Sequence, residues 1–335
     1  MSITAKQIAK QLGLSETAVS MALNNKPGVS DSTRKKVIEF AEESGYDFTK
    51  NSMRKGAPST IYYIIFRSRN TILSYAPIFS EILDGITDEC TRSGCRVRTI
   101  QINEETDNIN EVLEQLRLKD CAGMIFLGTE FTAQICSMFA SIPIPKVILD
   151  TYFESVEASY VQINNIRGAY SITNYMIGRC NAQPGHLRSS FTIPNFTERQ
   201  QGFFHALSEH GMNPRNSTEF RLSPTLDGAF SDMLEIIESG KELDRCYFAD
   251  NDLIAIGAIK ALKLRGYRIP EDIAIAGFDN IMESRIIEPA LTTVDIPRKY
   301  MGQAATRLLL SQIKNPSHYF CKVEVATSLR KRYSV

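Results

Sequence analysis

The fold is decided first by residues 4–24, TAKQIAKQLGLSETAVSMALN, which read as helix, turn and helix. Apolar residues recur at helical spacing over residues 5–12 and again over residues 16–23. Gly13 separates the two segments, and glycine suits a tight turn because it tolerates positive φ. Ser15 stands where a side chain would cap the second segment. The stretch therefore predicts two short helices joined by a tight turn.

A third helix is predicted over residues 31–44, after the break at Pro27 and Gly28 and before Gly45. A helix, a short turn containing glycine and a second helix form the helix-turn-helix motif, whose second helix enters the major groove of DNA. Small helical pairs also occur in proteins with other roles. On the residues alone, a three-helix scaffold that does not bind DNA remains an alternative.

The formal net charge of zero conceals an asymmetry between the two parts of the chain. Residues 1–60 hold nine Lys and Arg against six Asp and Glu, whereas the remainder holds 29 against 32. A small basic head on an acidic body is the charge distribution expected if only the head meets phosphate.

From residue 60 onward, strand patterns alternate with helix patterns, which predicts parallel sheets flanked by helices. The first series has strands at 60–66, 95–100, 123–127 and 145–149 and helices at 79–93 and 109–119. The second has helices at 166–177, from 198 onward and at 252–265, and strands at 189–193, 245–248 and 273–277. Two series predict two doubly wound lobes with a cleft between them.

Polar residues follow two strands of the second series. Asn251 and Asp252 come after the strand at 245–248 and cap the next helix, and Asp279 follows the strand at 273–277. The crevice outside the carboxyl ends of the strands is where open α/β sheets bind ligands. These residues are candidates for a ligand site, and an exclusively structural role in caps and turns is the alternative.

Several stretches give the chain a strong resemblance to the lactose/galactose repressor family of bacterial transcriptional regulators. They are residues 3–24 with VSDSTRKKVI at 29–38 and Gly45-Tyr46, DNDLIAIGA at 250–258, GYRIPEDIAIAGFD at 266–279 and PALTT at 289–293. The resemblance covers essentially the whole chain. It implies an all-α helix-turn-helix headpiece and an α/β effector domain of two doubly wound parallel-sheet lobes, like those of periplasmic binding proteins.

The resemblance also implies the domain boundaries. The headpiece is expected at residues 1–48, a hinge at 49–59 and the effector domain at 60–335. Within the effector domain, the first lobe is expected at about 60–163 plus 293–322 and the second at about 164–290 plus 323–335.

In the headpiece, the resemblance implies which residues touch DNA. Glu16, Thr17 and Met21 match positions that face base edges. The residues that match positions near the DNA backbone are Thr4, Ser15, Ser20, Asn24 and Thr33. Methionine cannot make a bidentate pair with guanine, so the base preference of the family does not transfer to Met21.

The hinge is represented by residues 51–56, NSMRKG, which resemble the hinge helix of the family. Met53 stands in the place of an apolar wedge that enters the minor groove and bends DNA. The usual Pro-Asn start is missing, and a disordered linker in the free protein is the alternative.

In the effector domain, the resemblance places Ser74, Tyr75, Asp150, Arg199, Asn251 and Asp279 in the cleft, with Asp252 as the alternative to Asn251. Carboxylates accept from hydroxyls, arginine donates as a planar fork, and Tyr75 or Tyr152 could cover an apolar sugar face. This set predicts a small hydroxyl-rich effector, a carbohydrate. Arg199 as an ordinary surface arginine and the tyrosines as plain packing are the alternatives. An unusual stretch at 179–190 adds Ser189 and Ser190, and the nearby Asn195 could enter the cleft with them, which would favour an effector other than a common sugar.

Several classes of protein are not expected. The chain has no nucleotide-binding glycine loop, no nucleophile elbow and no zinc-protease motif, so it is not expected to be an enzyme. Its four histidines are dispersed and its seven cysteines form no metal pattern, so neither a metal nor a cofactor is expected. No apolar run reaches the roughly 18 residues of a membrane span, and no signal-peptide core is present at the start, so a cytoplasmic protein is expected.

The sequence thus predicts a sequence-specific DNA-binding transcriptional regulator, a repressor, controlled by a small molecule. A single helix-turn-helix reads few base pairs, so a homodimer on operator DNA is expected. No leucine heptad is present near the C-terminus, so no tetramerisation tail is expected. The competing hypothesis is a sugar-binding receptor without DNA function, whose fold would match residues 60–335.

Overall fold

The computed structural model describes residues 3–23, 28–46, 59–68, 76–316 and 319–335. Its first unit is the headpiece, a bundle of α1 (Ala5–Leu12), α2 (Glu16–Leu23) and α3 (Asp31–Glu43). The chain leaves α1 through Gly13, which has left-handed backbone at φ 65°. The buried members of the headpiece core are Ile8, Ala9, Val19, Ala22, Val37 and Ala41. Because this core contains few side chains, the stability of the headpiece depends on each of them.

The effector domain alternates strands and helices, as the sequence patterns predict. Its helices are α4 (Ala76–Arg92), α5 (Ile109–Arg117), α6 (Ala133–Ala140), α7 (Asn165–Cys180), α8 (Pro194–Glu209), α9 (Leu226–Glu238), α10 (Asp252–Leu264), α11 (Glu283–Ile286) and α12 (Arg298–Lys314). Its strands are β1 (Thr60–Arg67), β2 (Arg96–Asn103), β3 (Gly123–Leu127), β4 (Lys146–Leu149), β5 (Tyr160–Ile163), β6 (Gly185–Ser189), β7 (Glu219–Leu222), β8 (Cys246–Ala249), β9 (Ala274–Ala276), β10 (Thr293–Asp295), β11 (Lys322–Val325) and β12 (Ser328–Arg330). A 3-10 turn lies at Pro214–Asn216.

The first lobe is a six-stranded parallel sheet in the order β11, β5, β4, β3, β1, β2. Helices α4 and α12 cover one face and α5 and α6 the other. Gly85 of α4 lies directly against α12, because a Cβ there would come within 1.9 Å of the Lys299 carbonyl oxygen. The same holds for Gly302 of α12 against α4. This close packing fixes the start of α12 at the edge of the cleft.

The second lobe is a four-stranded parallel sheet in the order β7, β6, β8, β9, with α7 and α8 on one face and α9 and α10 on the other. The chain passes between the lobes after β5, before α12 and after β11, and β10 and β12 form an antiparallel pair at this junction. Strand β11 pairs with the first sheet through Val325, three residues beyond the expected lobe boundary at 322. Both sheets are parallel, so their carboxyl ends face the cleft from either side.

One predicted strand is misplaced, and several elements have no counterpart in the predictions. The strand expected at 189–193 is β6, which ends at Ser189, and α8 already begins at Pro194. His186 and Arg188 make the segment look unsuited to a sheet interior, but they are paired with Asp250 at 2.8 Å and Glu219 at 3.2 Å. These partners are remote in sequence, so the local pattern conceals the strand. No pattern predicts α6, β5, β7, α9 or the elements after β9.

Across the part of the chain that the structure describes, no helix combines the length and the apolar character needed to cross a membrane.

Candidate functional site

Helix α2 presents one face to solvent and buries the other. Val19 and Ala22 lie in the headpiece core, whereas Glu16 and Thr17 are exposed and Met21 is half-buried. Ser20 is half-buried as well. A short helix anchored by its apolar face and exposed along the other has the geometry that a major groove accepts.

The charge at the start of α2 is balanced within the headpiece. The Glu16 carboxylate lies 3.7 Å from the Lys6 ammonium of α1, and both side chains are exposed. An exposed pair of this kind is easily rearranged. The carboxylate is therefore available to exchange Lys6 for a donor on a base edge.

Three of the residues expected near the DNA backbone, Thr4, Ser15 and Thr33, lie at helix starts, whereas Ser20 lies in the middle of α2. Ser15 accepts a hydrogen bond from the backbone N–H of Ala18, and Thr4 forms a reciprocal cap with Gln7. Thr33 lies in the first turn of α3, and its hydroxyl bonds with that of Ser30. Helix starts direct backbone N–H groups outward and favour phosphate. Two further predicted contacts, Asn24 and Met53, lie outside the described residues.

A cleft separates the two lobes and narrows to a cavity of about 60 Å³. The polar side chains that line it come from both lobes: Thr129, Asp150 and Arg298 from the first, and Asn195, Arg199, Asn251 and Asp279 from the second. Apolar side chains complete the wall: Ile82, Ile193, Phe196, Leu253, Ile281, Ile296 and Met301. Ser74 and Tyr75 lie outside the described residues.

Asp150 provides the main polar group of the first lobe. It follows β4 in left-handed backbone at φ 64°, which turns its side chain into the cleft. Its carboxylate accepts from the Thr129 hydroxyl at 2.6 Å and from the Asn195 amide at 3.2 Å. Asn195 belongs to α8, so this bond joins the two lobes. Burial raises the pKa of Asp150 to about 6, against the lowering by Thr129 and Arg199.

Arg199 and Asp279 form the main ion pair of the second lobe, at 3.2 Å. Arg199 is only 4% exposed and also donates to the side-chain oxygen of Asn165 at 3.0 Å and to the carbonyl of Asp250. Its guanidinium lies 3.8 Å from the centre of the Phe278 ring. Arg199 is therefore not an ordinary surface arginine. Much of its guanidinium, predicted to donate to a ligand, already donates to protein groups.

Asp279 sits at φ 116°, a backbone conformation that non-glycine residues rarely adopt and that is concentrated at functional sites. Burial raises the pKa of its carboxyl, and Arg199 and Arg298 oppose that rise. Arg298 at the start of α12 donates to the Asp279 carbonyl at 2.6 Å, and this is a second bond between the lobes. Asp279 is thus clamped by two guanidiniums and faces Asp150 across the cavity.

The sequence leaves open whether Asn251 or Asp252 lies in the cleft and whether they serve only as caps. Asn251 caps α10 by accepting from the Ile254 N–H at 2.8 Å and also lines the cavity. Asp252 is fully buried and accepts from the Thr293 hydroxyl at 2.5 Å and from the Ile281 N–H at 3.0 Å. Burial raises the pKa of Asp252 to about 8. Asp252 therefore supports the loop that carries Asp279 and does not face the cavity.

Sequence reasoning misses two polar residues of the cleft. Thr129 follows the carboxyl end of β3, so the strand-end rule that points to Asp279 would also have found it. Arg298 follows no such rule, because its position depends on the packing of α12 against α4. Tyr152 lies elsewhere, edge-on to Tyr160 with a 5.1 Å ring separation.

Of Ser189, Ser190 and Asn195, which the sequence suggests as further cleft residues, one lies in the cleft. Asn195 enters the cleft, whereas Ser189 is buried beside Asp250 and Ser190 is exposed. Within the described residues, no cluster of His, Cys, Asp and Glu is arranged to hold a metal ion.

Comparison with known protein families accounts for both parts of the chain. Residues 185–335 match the model of the periplasmic binding protein-like domain. Residues 4–47 match the model described as bacterial regulatory proteins, lacI family. The chain thus combines a headpiece that matches the lacI family with a periplasmic binding protein-like domain. With this composition it is a DNA-binding transcriptional regulator and not an enzyme, and the match over the headpiece decides against a receptor without DNA function.

Similar proteins match the chain over its whole length. The HTH-type transcriptional repressor PurR of Pasteurella multocida is 29% identical over 99% of this chain and 98% of its own. The structure of the transcriptional regulator CelR in complex with cellobiose superposes with a TM-score of 0.74 at 23% identity, covering 99% of this chain and 100% of that one. The lac repressor dimer bound to operator and the anti-inducer ONPF superposes with a TM-score of 0.69 at 19% identity, covering 100% and 99%. The two-lobed fold with a helical headpiece is thereby confirmed.

Proposed function

We propose that this LacI-family regulator is a repressor whose operator affinity is set by a small, neutral, hydroxyl-rich effector, a sugar or sugar derivative, bound in the cleft. The observation that carries this is the placement of two carboxylates, Asp150 and Asp279, on opposite walls of one cavity. A ligand with several hydroxyls can donate to both carboxylates and so hold the two lobes together.

The rest of the cavity suits the same chemistry. Asn195 and Asn251 carry amides that both donate and accept, and Thr129 adds a hydroxyl. Phe196 and the aliphatic wall residues offer apolar surface to the C–H faces of a sugar ring. Such a mixture of a few directed polar groups on an apolar wall is typical of small-molecule sites.

Charge argues for a neutral effector over an anionic one. Arg199 is engaged by Asp279, Asn165 and a backbone carbonyl, and Arg298 also donates to Asp279. A phosphate or carboxylate ligand would have to compete with Asp279 for these guanidiniums and approach two acidic side chains. Neutral hydroxyls face no such penalty.

The proposed mechanism is an exchange of bonds across the cleft. Asn195 to Asp150 and Arg298 to Asp279 already join the lobes. An effector that takes over these partners changes the preferred closure of the lobes and, through the junction to the hinge, the placement of the headpieces. Whether it releases or strengthens operator binding follows from which closure it binds more tightly.

A homodimer is proposed as the DNA-binding unit, acting in the cytoplasm. Large apolar side chains lie exposed on the second lobe, with Leu264 59%, Met282 69% and Ile286 73% accessible. An exposed apolar surface of this kind suits contact with a second copy of the chain. A species with the mass of one chain in sedimentation at micromolar concentration would contradict the dimer.

On operator DNA, Glu16, Thr17 and Met21 are proposed to face base edges, and Thr4, Ser15, Ser20, Asn24 and Thr33 the backbone. Glu16 can accept from the amino group of cytosine, and Met21 can contact a thymine methyl. Met53 is proposed as the minor-groove wedge.

A thermal-shift screen tests the effector class. Neutral mono- and disaccharides are compared with their phosphate esters, because ligand at a hundredfold excess over Kd stabilises by about 2.7 kcal/mol. A neutral sugar should raise the Tm of the wild type and not that of Asp150→Asn. The matched control, Asp227→Asn at an exposed acid of the second lobe, should keep the shift. A response to phosphate esters alone would contradict the neutral class.

A further inference from the structure

A surface of α3 remains unexplained by the headpiece core. Val37 and Ala41 bury one side of this helix. An adjacent stripe, called here the α3 outer face, runs from the buried Arg34 through Lys35, Ile38, Glu39 and Glu42. It contains an apolar residue among its charges, as a helix that contacts another surface would.

The α3 outer face lies against the end of α5 in the first lobe. Glu114, Arg117 and Leu118 line the same space from the lobe side, and Leu118 provides an apolar counterpart to Ile38. The Arg117 guanidinium lies 3.7 Å from the Glu42 carboxylate, with 29% and 24% of the two side chains exposed. This pair is less screened than a fully exposed one.

The contact is incompletely packed and incompletely bonded. A solvent-open cavity of about 350 Å³ lies between the two surfaces, so they are not close-packed there. Oε1 of Glu42 and Nε of Arg117 are buried without a hydrogen-bond partner among the described residues. Burial raises the pKa of Glu42, Arg117 lowers it, and Glu114 and Glu39 add to the rise. An interface of this kind can form and separate at small cost.

A direct connection leads from this contact to the DNA-recognition helix. Arg34, on the same helix and 7% exposed, donates to the carbonyl of Met21 in α2 at 3.4 Å. Glu16 and Thr17 of α2 remain exposed while α3 is docked. The docked headpiece thus keeps its DNA-facing surface open.

We propose that the α3 outer face and the end of α5 form a docking surface by which the first lobe holds its own headpiece, with Glu42 and Arg117 as the ion pair that aligns them. The inference rests on the proposed function, because it supplies a second route, besides the hinge, by which movement of the first lobe reaches the recognition helix. Docking reduces the orientational freedom that operator binding must otherwise remove.

Charge reversal tests the proposal on DNA. If docking matters, Glu42→Arg weakens operator binding by about threefold to tenfold although it adds positive charge, Arg117→Glu does the same, and the double reversal restores affinity. If only attraction to phosphate matters, Glu42→Arg tightens binding and the two changes add, which would overturn the proposal. Arg215→Glu, at an exposed arginine of the second lobe, is the control for net charge.

A DNA-independent measurement separates this inference from the proposed function. The chain contains no tryptophan, so Ile38→Trp introduces a single reporter at the contact. Its emission should shift to the red when Arg117→Glu is added and return with Glu42→Arg. An emission maximum that stays constant through both changes would overturn docking even if the wild type binds operator. A wild type that does not bind DNA would instead overturn the proposed function.

Discussion

The proposed recognition surface of the headpiece and the proposed effector cleft differ in how their side chains are held. Glu16 and Thr17 are exposed on a helix whose other side is packed. In the cleft, Asp150, Arg199 and Asp279 are already bonded to other protein groups. On the first surface Glu16 holds an exposed, easily exchanged pair with Lys6, whereas the cleft must give up buried bonds to accept a partner.

This difference suits a regulator. A prebuilt surface gives DNA affinity without rearrangement, and its binding energy is not spent on reorganising the protein. A cleft whose bonds cross between lobes converts ligand binding into a change of lobe position, because bonds to the ligand replace bonds between lobes. Changing each region separately tests this difference.

The largest effect is expected from Val19→Asp in the headpiece core. Val19 is fully buried in a core of few side chains, and burying a carboxylate there should unfold the headpiece. Operator affinity should fall by about a thousandfold or more, to the level of non-specific binding or below. The thermal unfolding of the effector domain and its response to effector should persist. As a control, Ile166→Asp at an exposed apolar residue of the second lobe should leave operator affinity and the thermal unfolding of the effector domain unchanged.

A smaller effect is expected from Asp279→Ala in the cleft. This change leaves the buried Arg199 guanidinium without its carboxylate, which should destabilise the effector domain by about 2–4 kcal/mol in urea unfolding. The effector response should disappear while operator affinity without effector stays within about threefold. Loss of operator binding together with the response would show that Asp279 serves the fold of the whole chain. Asp272→Ala, at an exposed pair with Arg268, is the control.

The smallest effect, for a change of one pH unit, is expected from titration of Asp252. Folded Asp252, with a pKa of about 8 against 3.8 for the ordinary residue, binds a proton that the unfolded chain has lost between these values. Stability should therefore fall as pH rises through that window, by about 1 kcal/mol per unit near neutrality, and level off above pH 8. Asp150, with a raised pKa of about 6, should likewise make stability fall as pH rises, up to about pH 6.

Asp252→Asn isolates this pH effect. The amide can accept from the Ile281 N–H and donate to the rotatable Thr293 hydroxyl, so it reproduces the protonated carboxyl. The variant should lose the slope between pH 6 and 8 in urea titrations. An unchanged slope would place the proton elsewhere.

The elements with strong local signals could be predicted from the sequence. Helices α1 and α2 have the predicted bounds because their caps, apolar spacing and the turn at Gly13 are all local. Asp279 could be found because it follows a buried strand, and its position at a sheet edge needs no tertiary information.

The cleft as an arrangement could not be predicted in the same way. Arg298 enters it only because two glycines let α12 lie against α4, and Asn195 meets Asp150 only once the lobes are placed. Strand β6 was misplaced because the partner of His186 lies 64 residues away. Contacts between lobes and between distant strands leave no periodic trace in the sequence.

The most direct test is operator binding by the wild type as a function of salt. Duplexes selected from a random pool are titrated with the full chain, and affinity and stoichiometry are followed by fluorescence anisotropy. Two chains per duplex are expected, with a slope of log affinity against log salt of about −5 or steeper, because two headpieces would neutralise several phosphates. A chain that binds no duplex at low salt, or binds with no dependence on salt, would contradict this expectation.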